Sequence, residues 1–161
     1  VKLEMKIDSV DFEGVIMRGY LDRVDIISPT QAEIVDYKTG STTNMKSKVG
    51  GPTKAYPEGK SYWRQLIFYK ILLENSRDSQ YNVQAAKIAS LEPNDKDHFD
   101  EFTVKIASED EQLVGGLIKE TWANIHAHKF DEGCGKPTCH WCNFANDHLT
   151  MVYEMDDMLN E

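Results

Sequence analysis

Two short apolar runs in this chain carry charged residues of the kind that can act on phosphate esters. Between Gly19 and Gly40 the sequence reads GYLDRVDIISPTQAEIVDYKTG. The first run carries Asp22 and the second, Glu33 to Lys38, ends in Asp-Tyr-Lys. Each is too short for a helix and rich in Val and Ile, and Ser-Pro-Thr-Gln separates them, so a pair of adjacent strands is expected. Strand side chains alternate between faces, which puts Asp36 and Lys38 on one side and Val35 and Tyr37 on the other. Asp22 is then available from the neighbouring strand. Two converging carboxylates are costly unless a cation sits between them, and oxygen ligands of this kind suit Mg2+ or Mn2+. A lysine one pleat away can orient or deprotonate an attacking water, or stabilise charge developing on a phosphoryl oxygen. The constellation is a candidate for metal-assisted phosphodiester hydrolysis.

Acid-x-Lys alone is a weak pattern, since it also occurs at Glu4-Met5-Lys6 and Glu58-Gly59-Lys60. The copy at Asp36 differs in context. It closes a hydrophobic strand, follows a Gly-x-x-Asp strand (Gly19 to Asp22), and precedes an amphipathic helix bearing Gln65 and Tyr69. Asp25 lies three residues beyond Asp22, so on a regular strand the two face opposite sides and cannot both serve one ion. Spacing leaves open which of the two serves.

The elements that must position these residues follow from periodicity and turn chemistry. Val1 to Val10 is expected as a strand that turns at Asp11 to Gly14 into the strand carrying Val15 to Tyr20. Glu4 on the first strand is a further candidate for the metal shell, with a solvated strand glutamate as the alternative. Nothing periodic survives between Gly40 and Gly59, so a long loop is expected there, either a lysine-bearing flap that grips a phosphate backbone or a plain insertion. Ser61 to about Ser76 is the strongest helix, with Ser61 as N-cap and Trp63, Leu66, Ile67, Ile71 and Leu72 or Leu73 as its buried stripe. Gln65 and Tyr69, four apart, share a face. Val83 to Ser90 and Phe99 to Ile106 read as strands joined by the turn Pro93 to Asp97. The capping box Ser108-Glu109-Asp110-Glu111 starts a helix running to about Lys129, whose acidic first turn suits the positive end of the dipole. This order implies an α/β domain with a mixed central sheet flanked by helices.

A chain of 161 residues with 40% hydrophobic content is expected to be a single domain, 1–161, with material for a real core. No stretch approaches the ~20 apolar residues of a membrane span and no signal peptide opens the chain, so a cytoplasmic (intracellular) setting and no membrane partner are expected. The missing initiating Met and the start directly in a strand suggest a piece of a longer protein. A net charge of −9 argues against strong unaided nucleic-acid binding. Against that, Ser41 to Lys60 holds Lys46, Lys48, Lys54 and Lys60 with Glu58 alone, a local positive excess.

GYLDRVD, EIVDYKTG and RQLIFYKILLE, in this order and spacing, resemble the RecB-type branch of the PD-(D/E)XK nuclease superfamily over most of Val1 to Glu74. The resemblance implies a restriction-endonuclease-like core with Mg2+ or Mn2+ as cofactor. Asp22 and Asp36 would be metal ligands, Tyr37 would lend its backbone carbonyl, and Lys38 would be catalytic together with the two aspartates. The resemblance thus selects Asp22 over Asp25, and by it Asp25 and Arg23 are read as a structural charge pair or a DNA-facing rim. Gln65 and Tyr69 would form the accessory Gln-x-x-x-Tyr motif, with Arg64, Lys46 and Lys48 as further DNA contacts. RecB-type domains usually add a His or Glu from a helix ahead of the first strand. This chain begins after that point, so a domain lacking its N-terminal helix is expected.

Phe130 to His148, within a Cys/His-containing C-terminal segment at 130–150, holds Cys134, Cys139, Cys142 and His148 around a CxxC. Three cysteines bunched in this way do not look like a secreted disulfide framework. Thiolates at this spacing suit zinc or an iron-sulfur cluster. Several RecB-like nucleases hold a four-iron cluster with one upstream and three late cysteines. Here His148 stands at the last of those positions and Cys134 is extra. A metal-free vestige is the alternative.

The function expected is a divalent-metal-dependent DNA nuclease, an exonuclease module in DNA repair or recombination with DNA and a fused or associated helicase as partners. Two competitors are a catalytically inactive nuclease-fold module that binds DNA or a partner protein, and a metal-stapled interaction domain built on the cysteines.

Overall fold

In the computed structural model, which describes residues 1–77, 79–129, 133–134 and 138–144, the chain divides into two compact units, Val1–Lys119 and Glu120–Glu161. The first begins with a hairpin. Strands β1 (Lys2–Phe12) and β2 (Val15–Ser28) pair antiparallel, and the Phe12–Val15 pair flanks a two-residue turn. Glu13 (φ 49°) and Gly14 (φ 88°) both adopt the left-handed region, as the tight turn matching strand twist requires. The Gly14 N–H donates to Asp11 Oδ1 at 2.8 Å. Strand β3 (Gln31–Lys38) returns antiparallel to β2 after Pro29-Thr30.

A crossover leads from β3 to β4 (Asn82–Ser90), which pairs with β3 in parallel, and β5 (Glu101–Lys105) closes the sheet antiparallel to β4. The result is a five-stranded mixed sheet in the order β1-β2-β3-β4-β5, the α/β architecture expected from the order of elements. The crossover holds two helices, α1 (Thr42–Lys48) and α2 (Ser61–Glu74). Helix α1 corrects the expectation of a structureless loop. It has only seven residues and one buried anchor, Met45, so no apolar period could reveal it.

Helix α2 supplies the centre of the core. Trp63, Leu66, Ile67, Ile71, Leu72 and Leu73 are all buried, joined by Leu21, Val24, Ile34, Val83 and Ile88 from the sheet. Both Leu72 and Leu73 are inside, so the buried stripe is wider than the alternatives weighed from sequence. Its N-cap is Lys60, with no side-chain cap, rather than Ser61, which is the first helical residue. Gly19 on β2 fixes how closely α2 lies on the sheet: a Cβ there would come within 2.6 Å of Leu72 Cδ2, and Leu72 is itself fully buried. The glycine of Gly-x-x-Asp therefore sets the distance between α2 and the strand that carries Asp22.

Helix α3 (Ser108–His126) starts as the acidic capping signal predicts, shifted by one residue. Asp110 Oδ2 accepts the Ala107 N–H at 2.9 Å, while Glu111 turns toward Lys70. Among the described residues, no helix is long and apolar enough to cross a membrane.

Candidate active site

Strands β2 and β3 pair as far as Arg23–Val35, and one further step of that register sets Asp22 opposite Asp36. At this step the ladder gives way to a side chain, because Asp22 Oδ2 accepts the Tyr37 N–H at 2.9 Å. Asp36 is 2% exposed. Its Oδ1 accepts from Gln65 Nε2 at 3.3 Å, and its Oδ2 lies 2.7 Å from Lys38 Nζ yet has no partner in hydrogen-bond geometry. The pleat thus puts Asp36 and Lys38 on one face, as alternation requires.

Helix α2 supplies the roof. Gln65 Nε2 also donates to the Tyr69 hydroxyl at 2.8 Å, so one amide with two protons ties Asp36 and Tyr69 together. Lys38 Nζ stands 5.2 Å from the centre of the Tyr62 ring. Burial pushes the Asp36 carboxyl above its ordinary range. The Lys38 ammonium, by contact and by charge, pulls it back, the charge of Asp22 adds to the rise, and the Tyr69 hydroxyl opposes it. The Tyr69 hydroxyl is also raised by burial, against the Gln65 donor and with the Asp36 charge.

Glu4 stands between the Leu3–Arg23 and Met5–Leu21 pairs, and hence across from Asp22. Its backbone is left-handed, φ 47°, which is strained for a non-glycine residue within a strand. A cavity of about 450 Å³ is lined by Leu3, Glu4, Asp22 and Tyr37. Glu4 and Asp22 line this cavity, while Asp36 lies outside its lining and opposite Asp22 on the neighbouring strand; the oxygen donors at hand are of the kind that suits a hard divalent cation.

The model of the PD-(D/E)XK nuclease superfamily matches residues 1–146. The chain belongs to that superfamily. No curated protein matches it. PD-(D/E)XK proteins typically use divalent metals such as Mg2+ or Mn2+, and membership points to a hydrolytic nuclease acting on nucleic acid. The mixed five-stranded sheet agrees with the restriction-endonuclease-like fold of the PD-(D/E)XK superfamily.

Other residues singled out from the sequence fall in different places. Arg23 grips Asp25 with two 2.8 Å bonds and donates to the Tyr37 hydroxyl at 3.2 Å, which makes this a structural charge pair. Lys46 is exposed on α1. Lys48 Nζ lies 5.1 Å from the Tyr62 ring centre, and Arg64 donates to the Gly59 carbonyl at 2.7 Å. Tyr62, which stands under both Lys38 and Lys48, went unrecognised from sequence. Its role depends on α1, which had no periodic signal.

In the second unit, the sulfurs of Cys134, Cys139 and Cys142 lie within 4.8 Å of one another, and the Cys134 N–H donates to Cys142 Sγ at 3.1 Å. Hydrogen bonding from the Cys142 backbone, then from the Cys134 and Cys142 side chains, lowers the Cys139 thiol to about 7. Such a trio could bind zinc. His148, the fourth residue expected there, lies outside the described residues.

Proposed function

We propose that the protein is a divalent-metal-dependent DNA nuclease of the RecB type, an exonuclease-like module working in repair or recombination beside a fused or associated helicase, in an intracellular setting. A single nuclease domain with a Cys/His segment at 130–150 accounts for the chain, and zinc or an iron-sulfur cluster on Cys134, Cys139 and Cys142 is part of the same proposal. The observation that carries it is Asp36: a buried carboxylate with Asp22 opposite it on the neighbouring strand and the Lys38 ammonium 2.7 Å from its Oδ2.

In this reading Asp22, Asp36 and the Tyr37 carbonyl would hold Mg2+ or Mn2+, with Glu4 as a further candidate ligand. The ion, when bound, supplies Lewis-acid stabilisation to the phosphoryl oxygens. The protein's own groups do the rest. Asp36 holds the Lys38 ammonium in place, and Lys38 orients the attacking water and stabilises negative charge on the scissile phosphate. Gln65 and Tyr69 fix the Asp36 carboxylate, so the reacting groups are set before substrate arrives. Replacing Asp36 with Ala should abolish Mn2+-dependent degradation of linear DNA while circular dichroism shows the fold retained; equal activity in the variant would remove the assignment.

The net charge of −9 favours a second reading, a nuclease fold kept for binding DNA or a partner protein. A wild-type protein that binds DNA yet never cleaves it with Mn2+ would support that alternative.

A further inference from the structure

We propose that the cleft at the start of α2 is a nucleotide subsite for a single nucleic-acid strand, taking one phosphate on Lys48 and Lys60 and stacking the attached base on Tyr56. The cleft has a volume of about 410 Å³, within the range of small-molecule sites. Ser47, Lys48, Tyr56, Lys60, Ser61 and Arg64 are among its lining residues. Among the described residues, neither Lys48 nor Lys60 has a carboxylate within ion-pair distance. Their ammonium groups instead face aromatic rings, Lys48 over Tyr62 and Lys60 over Tyr56 at 4.8 Å. Two cations left without an anion in a chain of net charge −9 mark a place where negative charge is to be supplied from outside.

The other walls favour the same ligand. The Ser61 hydroxyl is a further donor on this wall, while Ser47 gives its proton to the Asn44 carbonyl at 2.8 Å. Arg64, anchored on the Gly59 carbonyl and 3.8 Å from Glu58, is a fixed part of the wall. Helix α2 begins here without a side-chain cap and with no acidic residue in its first turn, which adds to the positive potential. Tyr56 is 52% exposed with the Lys60 ammonium over its ring, and an exposed aromatic ring beside cations is how proteins hold unpaired bases.

The cleft is tied to the candidate active site through Tyr62, whose ring centre lies 5.1 Å from Lys48 Nζ and 5.2 Å from Lys38 Nζ. A strand held in the cleft is thereby led toward Asp36. The inference rests on the nuclease reading for the identity of the polymer, while its binding chemistry stands apart from hydrolysis.

The test is fluorescence anisotropy in EDTA with a short fluorescein-labelled oligodeoxythymidylate, comparing wild type, K48Q/K60Q and Y56A, all checked for unchanged melting. K48Q/K60Q is expected to bind at least tenfold more weakly, and the slope of log affinity against log salt should flatten by about 0.7, the value for one phosphate of a single strand. Y56A is expected to lose about fivefold or more on this oligomer and almost nothing on one with abasic residues. Oligomers with and without a 5′-phosphate separate the two sources of phosphate. A gain from the terminal phosphate that K48Q/K60Q abolishes assigns a strand end, equal binding assigns an internal phosphodiester, and either supports the subsite. Binding and salt slope unchanged in K48Q/K60Q, or a Y56A loss that persists on abasic strands, overturns it. A wild type that never cleaves DNA with Mn2+ would sink the nuclease reading and leave this binding result intact.

Discussion

The first unit contains two buried lysine–carboxylate clusters, and they are built to opposite ends. Lys70, 4% exposed on α2, donates to Glu74 and to the Val83 carbonyl at 2.9 Å, with Glu111 at 3.4 Å, and Glu74 also accepts the Val83 N–H. That ammonium gives two hydrogen bonds and has Glu111 within ion-pair distance, and it staples α2 to β4 and α3. At the other end of α2, Asp36 is as deeply buried but keeps Oδ2 without a hydrogen bond and a carboxyl raised by burial. Satisfied charge in the interior is structural; an under-satisfied carboxylate beside a second one is a candidate for holding a ligand or for chemistry.

Substitutions should separate the two clusters. The largest effect is expected from Lys70→Met, which leaves Glu74 and Glu111 without their cation: a loss of about 3 kcal/mol of stability by urea denaturation, in line with breaking a buried pair. A loss near zero would mean that the lysine is dispensable to the fold. Asp36→Asn should act in the reverse direction. A carboxyl whose folded pKa lies above its unfolded value binds protons more tightly when folded, so its ionisation destabilises the fold above that pKa and the penalty fades as pH falls through it. Metal-free Asp36→Asn should therefore melt higher than wild type at neutral pH, by roughly 2–4 °C for each kcal/mol recovered, and the gain should vanish below the ordinary carboxylate range. A lower melting temperature at neutral pH would place Asp36 with Lys70 as structural.

Gln65→Ala sharpens the contrast further. It removes two hydrogen bonds from partly hydrated groups, so stability should fall by about 1 kcal/mol, while the rate of Mn2+-dependent cleavage should drop about tenfold to a hundredfold because Asp36 is no longer held. Parallel losses of rate and stability would deny it a positioning role. The smallest effect concerns the second unit. Cys139, lowered to about 7, should reach half its maximal alkylation rate near that pH with no change in melting. Labelling that tracks an ordinary thiol would contradict the hydrogen-bonded trio.

Much of the site was legible because it depends on local pattern. The period of two fixed Asp36 and Lys38 on one face, and the i, i+4 spacing brought Gln65 to Tyr69. Asp22 was selected over Asp25 by the family resemblance, and the strand register of the structure sets it across from Asp36. What stayed hidden depends on tertiary contact. Lys70 sits in an otherwise apolar helix run, and only the arrival of β4 and α3 gives its ammonium partners. For Glu4 the sequence left a metal-shell candidate and a solvated strand glutamate both open, and only the hairpin register sets it opposite Asp22. Helix α1 and the Tyr62 ring between Lys38 and Lys48 left no periodic trace.

Isothermal titration of Mn2+ into wild type, Asp22→Ala and Asp36→Ala reads most directly whether these carboxylates form a metal centre. Binding heat in the wild type that disappears in both variants, with their folds intact, is the predicted result. Equal heat in all three proteins, or none in the wild type, would contradict it.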